Sequence, residues 1–332
     1  MRTYRLTLRP LTAFGTRLAG DTLFGQLCWT LRRRRGEAVL NELLEGYTQG
    51  KPFAVLSDAV PSGFLPLPTL PSFLWASSDD EDRKKRKSKR WIALEHLTRD
   101  FARRQTSACD DEEAYAGGNI RTPDDEIHYA PQAHTQPHNT VNRLTGTTGK
   151  GAFAPYSMEL LWYHPASALD VYTVLDESRL SVTDFFEALT SLGQLGYGRD
   201  AGIGAGKFEI EKELKDPIWT CGSAKSFLTL APCAPQGLNY DAERSFYQVR
   251  THFGRHGDEA ALRHNPFKRP LLTAKTGAVF TLSEAAPRHF LGQGITGISA
   301  VDDRTVHQGY APVVPLPELP DPEISRTTAS VS

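Results

Sequence analysis

The sequence predicts an α+β protein built from two units with antiparallel sheets. Apolar and polar residues alternate in several segments along the 332 residues, as they do in half-buried strands. Two other segments, 23–31 and 185–192, place apolar residues at helical spacing. The first half therefore reads strand, helix, long interruption, two strands, helix and strand. This order is the β-α-β-β-α-β ferredoxin-like plan with a long insertion.

The composition limits the class of protein. An apolar fraction of 39% and a length of 332 residues suit two globular domains, and a net charge of −1 excludes a surface that is basic throughout. The chain contains no run of eighteen apolar residues and enters its first strand at once, so we expect a cytoplasmic protein without a membrane span or signal peptide. Four cysteines form no C-x-x-C pair, which predicts reduced thiols, no metal and no cofactor.

The first strand and helix follow from the apolar spacing. Arg2 to Arg9 alternates around Tyr4, Leu6 and Leu8, which predicts a half-buried strand. The helix over 23–31 can begin at an Asp21 or Thr22 cap and end at Gly36. The four arginines 32–35 complement the dipole at the end of this helix, and RNA contact is the alternative.

The interruption between 44 and 156 is mostly polar or rich in proline. The proline-rich segment 64–75 predicts an extended connection. The segment 77–90 is acidic and then basic, which predicts a mobile surface loop. Its basic run, Arg83–Arg90, is an alternative site of RNA contact. Apolar spacing predicts a short helix over 37–44 and another over 91–101, and periodicity is lost over 109–150. Strands return at 156–162 and 169–175, before the helix that ends near Gly193.

The second half resembles a smaller, degenerate copy of the first. Strands are predicted at 226–230, 246–253, 278–282 and 306–314, and a glycine cluster, GQGITG, precedes the last of them. We therefore predict a first domain over 1–215 with an insertion at about 76–152, a second domain over 216–315, and a flexible tail over 316–332.

A glycine-rich loop, GYGRDAGIGAGKF over 196–208, lies between the last predicted helix and strand of the first domain. A dinucleotide fingerprint needs the reverse order, strand before loop and helix after it. A P-loop needs a glycine where Ala201 stands and Ser or Thr where Phe208 stands. Glycines permit positive φ and expose backbone N–H groups, so an anionic chain is the expected ligand, and a flexible connector remains the alternative.

Three motifs together resemble the RAMP proteins of CRISPR systems. They are GDTLFGQLCWTL over 20–31, HNTVNRLTG over 138–146 and the glycine loop 196–206. Most of residues 1–315, including SDAVP at 57–61, is similar to the family of the fourth subunit of the type III-A (Csm) effector complex. The resemblance implies two RRM-like RAMP domains, although the aromatic-rich RNP motifs of an ordinary RNA-recognition module are absent.

What the resemblance implies is a noncatalytic subunit that caps the 5′ handle of CRISPR RNA. Its implied partners are the large polymerase-like subunit, a backbone RAMP subunit, and target RNA near a hairpin thumb at about 128–150. The implied RNA-binding residues lie in the turn after the first strand, in the insertion and in the glycine loop: Phe14, Gly15, Thr16, His138, Asn139, Arg143, Gly198, Arg199, Gly202, Gly204, Gly206 and Lys207. Relatives commonly carry arginine where His138 stands, which puts a charged contact there in doubt.

Two further expectations concern aromatic and histidine side chains. Phe14, Tyr197, Tyr129 or His138 could stack on RNA bases, or could belong to the core. The alternative function is a metal-independent endoribonuclease of the same superfamily, for which the histidines at 134, 138, 252, 256 and 264 are the candidates. Cleavage through Asp21 is a further possibility, although a helix cap explains that residue better. A pure protein scaffold would leave the glycine loop without RNA.

Overall fold

The computed structural model describes residues 1–71, 74, 83–96, 107–117, 127–211, 214–217, 219, 222–262, 265–300 and 302–319. Within these ranges, no helix has both the length and the apolar character that crossing a membrane requires. The predicted flexible tail beyond 319, and Leu97 and Phe101 of the helix predicted over 91–101, lie outside the described residues.

Five helices and sixteen strands are described. The helices are α1 (Gly20–Arg35), α2 (Glu37–Leu44), α3 (Arg83–Ser88), α4 (Asp111–Ala116) and α5 (Val182–Leu195). The strands are β1 (Arg2–Pro10), β2 (Ala54–Leu56), β3 (Val60–Pro61), β4 (Phe64–Pro66), β5 (Trp91–Ala93), β6 (Ala108–Cys109), β7 (Gln132–His138), β8 (Tyr156–Trp162), β9 (Leu169–Leu175), β10 (Phe208–Ile210), β11 (Ala224–Thr229), β12 (Val249–His252), β13 (Leu271–Ala274), β14 (Val279–Ala286), β15 (Phe290–Ile295) and β16 (His307–Leu316).

The first sheet has the strand order β10-β1-β9-β2, with β3 also paired to β9, and every pairing is antiparallel. Tyr4, Leu6 and Leu8 of β1 enter one core together with the apolar faces of α1 and α5. The β-α-β-β-α-β plan is therefore confirmed, but its second strand is β2, and the prediction that 156–162 supplies it is wrong. β2 is buried at all three positions, so its short sequence carries no alternation to recognise.

A long hairpin takes the place of the predicted second strand. β7 and β8 pair with each other from Gln132↔Trp162 to His138↔Tyr156 and form a separate two-stranded sheet. The hairpin lies where the thumb was predicted, and its second strand continues to Trp162. Side chains of β7 are exposed or half-buried on both faces, which is why the sequence shows no apolar period there.

The second half of the chain contains a sheet of order β14-β11-β16-β15 and the hairpin β12–β13, all antiparallel. Among its described residues no α-helix occurs. The GQGITG cluster lies mostly within β15, where a Cβ on Gly294 would come within 2.7 Å of the Tyr47 ring. Gly294 therefore serves close packing between the two halves, whereas Gly292 packs against Gly309 and Cys233 within the second half.

Apolar residues of the second half cover the face of the first sheet opposite its helices. Tyr172 of β9 is fully buried and packs against Trp219, with ring centroids 4.8 Å apart, and Leu228 and Val314 join the same cluster. An ordinary RNA-recognition module binds bases on this sheet face. Here that face is occupied by protein.

Three local predictions differ from the structure. Residues 91–96 form β5 and a single 3-10 turn rather than the start of a helix, because β5 pairs with β4 and β6. Helix α1 begins after Ala19 without a side-chain cap, and Asp21 is buried instead of capping. Part of the predicted mobile loop, 83–88, forms the short, charged helix α3.

Candidate nucleic-acid interface

The glycine loop packs directly on the turn that follows β1. The backbone N–H of Gly206 donates to the carbonyl of Ala13 over 2.7 Å. The N–H groups of Lys207 and Arg199 donate to the hydroxyls of Thr12 and Thr16 over 2.9 and 3.1 Å. These bonds join turn and loop into one surface.

Three glycines are required by this close packing. A Cβ on Gly206, whose φ is +74°, would lie 2.0 Å from the carbonyl oxygen of Tyr197. A Cβ on Gly15 would lie 2.5 Å from the carbonyl of Arg199, and one on Gly198, at φ +79°, would lie 2.8 Å from Cβ of Thr16. Backbone therefore meets backbone here with no room for side chains.

The outer part of the loop is open and offers unpaired donors. Gly202 is exposed, and a Cβ there would have nothing within 4 Å. Ile203, Gly204 and Ala205 donate back to carbonyls of Asp200 and Ala201, and Asp200 holds a positive φ of 71°. Within this fully described loop, the N–H groups of Gly198, Ala201 and Gly202 meet no protein acceptor. Neighbouring free amides of this kind form an anion-binding surface.

Basic side chains lie beside these amides. Arg17 and Arg199 are exposed, and Lys207 is half-buried. Arg199 donates through Nη2 to the Glu159 carbonyl over 2.8 Å and pairs through Nε with Asp200 over 3.0 Å, so its guanidinium also joins the loop to the hairpin stem. The local charge is therefore modestly positive, with the backbone supplying most donors.

The predicted RNA-binding residues fall into two groups. The structure brings Phe14, Gly15 and Thr16 together with the glycine loop. His138, Asn139 and Arg143 lie at the far end of the hairpin. His138 pairs with Tyr156, and Phe14 pairs with Leu161 on the same strand. Tyr156 and Leu161 are five residues apart along β8, so the two groups are separated by roughly 16 Å. Asn139 and Arg143 are exposed, and the His138 ring stacks on Tyr156 at 5.5 Å.

Two of the proposed stacking residues belong to the core. Phe14 is 1% exposed and packs edge-on against Tyr163, while its backbone exchanges hydrogen bonds with Leu161. Tyr197 is fully buried, and its hydroxyl donates to the Arg17 carbonyl and accepts from the Ala19 N–H. Of the two interpretations of these rings, stacking on bases or packing in the core, the structure supports the core.

The sequence patterns did not predict that a buried cluster of charged and histidine side chains would form around Asp21, behind the turn that follows β1. The Asp21 carboxylate lies 3.3 Å from Arg250, 3.9 Å from His252 and 3.7 Å from His307. Burial disfavours the charged imidazole and lowers the pKa of His307 to about 4, and burial lowers the pKa of His252 as well. Sequence separations above 220 residues leave no local signal that could have predicted this convergence.

A second buried carboxyl lies beside this cluster. Asp58 accepts hydrogen bonds from the Gly20 N–H and the Thr276 hydroxyl. Burial, which outweighs these bonds, raises the pKa of Asp58 to about 6. The start of α1 therefore contacts both halves of the chain through buried carboxyl groups.

Three of the four arginines at the end of α1 pair with acidic side chains. Arg34 pairs with Glu187, and Arg35 pairs with Asp184 over 2.7 Å, both acids lying on α5. Arg32 pairs with Glu37 over 3.0 Å. The run therefore links two helices, a role that neither the dipole nor the RNA interpretation had included.

Comparisons with known proteins place the fold. No protein-family model matches the chain, and no curated protein does either. A chain in the crystal structure of the Csm3–Csm4 subcomplex of the type III-A CRISPR-Cas interference complex superposes with a TM-score of 0.58 at 13% identity, over 95% of this chain and 100% of that one. A chain in the Csm1–Csm4 cassette in complex with AMPPNP does so with a TM-score of 0.53 at 16% identity, over 96% and 99%. Csm4 is common to both complexes, and this chain has an α+β fold similar to that of these structures, as the sequence resemblance predicted.

Proposed function

We propose that this chain is a noncatalytic subunit of a type III-A CRISPR effector complex, in which it binds and caps the 5′ handle of CRISPR RNA. The observation that carries the proposal is the exposed arc of the glycine loop, where the N–H groups of Gly198, Ala201 and Gly202 are free. Phosphate and ribose oxygens are the acceptors that such donors take. The Csm4-like fold supports the same assignment.

The architecture favours this loop over other RNA surfaces. The open sheet face of an RNA-recognition module is covered here by the second half of the chain. The arginines 32, 34 and 35 are engaged by acids. A nearly neutral protein that binds RNA through backbone amides therefore needs only the few cations found near the loop.

The same proposal includes the partners and the hairpin. In the assembly the chain docks the large polymerase-like subunit and a backbone RAMP subunit, and the tip of β7–β8 reaches target RNA paired to the guide. Asn139 and Arg143 at that tip are exposed, which suits contact with RNA backbone.

The nuclease alternative receives less support from the structure. His252 lies in the buried cluster around Asp21, and His138 is stacked on Tyr156 in the hairpin. A general acid or base must reach the scissile phosphate and the ribose hydroxyl beside it. Asp21 is 1% exposed in its side chain, which removes it from target cleavage as well.

The proposal can be tested by a substitution that covers the free amides of the loop without disturbing the fold. Gly202→Leu adds a side chain where nothing lies within 4 Å, so stability should stay unchanged while the side chain covers the free amides. Gly222→Leu, at another exposed glycine with equal space, is the matched control. We expect Gly202→Leu to weaken retention of a guide RNA of defined 5′ end at least tenfold, measured by filter binding.

Crosslinking checks the location independently. A photoreactive nucleotide in the handle should crosslink to residues 196–207 in the wild-type chain and in Gly222→Leu. Equal retention by Gly202→Leu, together with crosslinks elsewhere, would refute the glycine loop as the handle site. Specific cleavage of repeat RNA in EDTA that a His138 or His252 substitution abolishes would refute the noncatalytic assignment.

A further inference from the structure

The longest run of basic residues in the sequence lies in the connection between β4 and β5. Residues 83–90, RKKRKSKR, contain seven basic residues, and the first six of these positions form α3. We call residues 84–90 the basic segment. Its lysines 84, 85 and 87 and its Arg90 are exposed. Short runs rich in lysine and arginine are typical of surfaces that bind nucleic acid.

The basic segment ends at a fixed point of the fold. Asp111 of α4 pairs with Arg90 over 3.7 Å through one carboxylate oxygen and accepts from the Trp91 indole over 2.7 Å through the other. The backbone N–H of Arg90 donates to the Cys109 carbonyl over 2.9 Å, and the Arg90 carbonyl accepts from the Leu67 N–H over 2.7 Å. The cations are therefore attached to the sheet β4-β5-β6.

Three partly exposed aromatic rings, which we call the ring row, connect this point with the turn after β1. Trp91 packs edge-on against Tyr115 with ring centroids 6.4 Å apart, and Tyr115 lies 6.2 Å from Tyr163. Tyr163 packs in turn against Phe14 of the turn at 5.4 Å. Tyr163, Tyr115 and Trp91 are half-buried, whereas Phe14 is buried. The ring row therefore leads from the glycine-loop interface to the basic segment.

Arg17 lies at the glycine-loop end of the ring row. Burial raises the pKa of Tyr163 to about 12, and the positive charge of Arg17 opposes this rise. Burial and the neighbouring Tyr163 raise the pKa of Tyr115, which the charge of Arg17 opposes as well. The exposed Arg17 guanidinium is therefore within electrostatic reach of both hydroxyls. Cations thus lie at both ends of the ring row.

The combination of rings and cations favours single-stranded RNA as the ligand. Within the part of the chain that the structure describes, Lys85 and Lys87 have no acidic partner, so their ammonium groups can bind phosphates. Single-stranded nucleic acid is bound by cations that follow its backbone and by aromatic side chains that contact its bases. An acidic protein surface would pair with the lysines, but it has no regular series of planar groups for the ring row.

We propose that the basic segment is a second binding site for the phosphate backbone of RNA, on the same unpaired strand whose 5′ handle the glycine loop holds. The strand passes Arg17 and crosses the ring row to reach Lys85 and Lys87. This inference rests on the proposed function for the identity of the strand, and it adds a second contact and the path between the two. Phosphate contacts at a second point raise the affinity because they release further counterions.

The experiment removes two charges of the basic segment without changing the glycine loop. Lys85→Gln with Lys87→Gln should weaken binding of a guide RNA of defined 5′ end about three- to tenfold and decrease the slope of log affinity against log salt concentration by about one to two. Lys51→Gln with Lys225→Gln, at two exposed lysines elsewhere in the fold, is the matched control with equal loss of charge. The control should keep the wild-type slope. Filter binding of the full chain at several salt concentrations measures both.

Crosslinking gives the location of the second contact. Benzoylphenylalanine at position 87 should crosslink to the guide RNA. Crosslinks from this position to protein alone, in the chain assembled with its partner subunits, would overturn the second site and would indicate an acidic protein partner.

The outcomes separate this proposal from the proposed function. A wild-type chain that retains no guide RNA would overturn both. If Gly202→Leu loses the RNA while the double lysine variant keeps the affinity and the salt slope of its control, the second site alone is overturned. If the double lysine variant is weakened and Gly202→Leu is not, the basic segment binds RNA independently of the glycine loop, and the shared strand is overturned.

Discussion

At the scale of single residues, the glycines of one loop have two different roles. Gly206 and Gly198 have positive φ and touch neighbouring atoms so closely that no side chain fits. Gly202 has open space around it. The sequence shows the same residue type at each position, so only the fold separates the structural glycines from the one that has open space around it.

Gly206→Ala should therefore destabilise the fold. The new Cβ would meet the Tyr197 carbonyl at 2.0 Å and would force a side chain into positive φ, with an expected cost of about 2–5 kcal/mol in the free energy of unfolding. Chemical denaturation measures this cost. Gly202→Ala is the control and should stay within about 0.5 kcal/mol of wild type. Equal stability of the two variants would contradict the packing described for Gly206.

Two buried groups should give opposite pH dependence. His307 has its pKa lowered to about 4 from an ordinary value near 6.5, so the unfolded chain binds the extra proton and stability falls as the pH drops from about 6.5 to 4. Asp58 has its pKa raised to about 6, so the folded chain binds the extra proton and stability falls as the pH rises from about 4 to 6. Within its pH range, each group changes the free energy of unfolding by about 1.4 kcal/mol per pH unit.

The two effects partly cancel in the wild type, and substitutions should reveal them. Asp58→Asn leaves the histidine effect unopposed, so the free energy of unfolding should rise more steeply between pH 4 and 6. His307→Gln should make that slope flatter or negative. Urea denaturation at several pH values measures both slopes, and slopes that change in the same direction in the two variants would contradict the assignment.

At the scale of elements, the hairpin β7–β8 is separable from the sheet that carries it. Among the described residues its two strands form a sheet only with each other, and its base is attached through the bridge between Leu161 and Phe14. The tip, 139–155, includes exposed Arg143 and Lys150. An insertion with so few core contacts can change without disturbing the fold.

Replacement of 139–155 by an Asn-Gly turn should leave the chain folded. His138 and Tyr156 are directly paired, and a two-residue turn preserves that register. The variant should still retain the handle. For guide RNA paired to target, the slope of log affinity against log salt concentration should decrease by an amount that corresponds to the loss of about one to two phosphate contacts. A same-length tip of Gly and Ser is the control for cations alone. An unchanged slope would place the tip away from RNA.

The sequence predicted those elements that have one buried and one exposed face. β1, α1, α5 and β8 show clear periods, and the loop 196–206 was found through its glycines. β9 is buried at all seven positions, but Asp170 and Tyr172 alternate with apolar residues in its sequence, so it was predicted as well. β2 escaped because its three buried residues are all apolar, and β7 because it is exposed on both faces. Neither condition produces alternation. Of the candidate site, the loop and the turn after β1 were predicted, whereas the burial of Phe14 and the cluster at Asp21 depend on contacts between distant segments.

At the scale of the whole molecule, the two sheets are joined by polar contacts within apolar surroundings. Gln308 of β16 is fully buried, accepts from the Leu56 N–H over 2.9 Å and donates to the Leu56 carbonyl over 2.7 Å. The Gln308 side chain therefore supplies hydrogen-bond partners to the backbone of Leu56 on β2, the edge strand of the first sheet. Together with the Asp21 and Asp58 contacts, this link leads us to expect that the two halves, which were predicted as two domains, unfold as one unit.

Gln308→Leu tests this cooperativity. The replacement has a similar size but leaves the buried N–H and carbonyl of Leu56 unpaired, with an expected cost of about 2–5 kcal/mol. If the halves are coupled, native-state hydrogen exchange should show the same loss of protection in β1 and in β16, because both amide sets exchange through the same global opening. Gln293→Leu, at a half-buried glutamine of β15, is the control and should affect both strands little. Loss of protection in β16 alone would mean that the first sheet folds without the second, and the boundary near residue 215 would then separate two independent folding units.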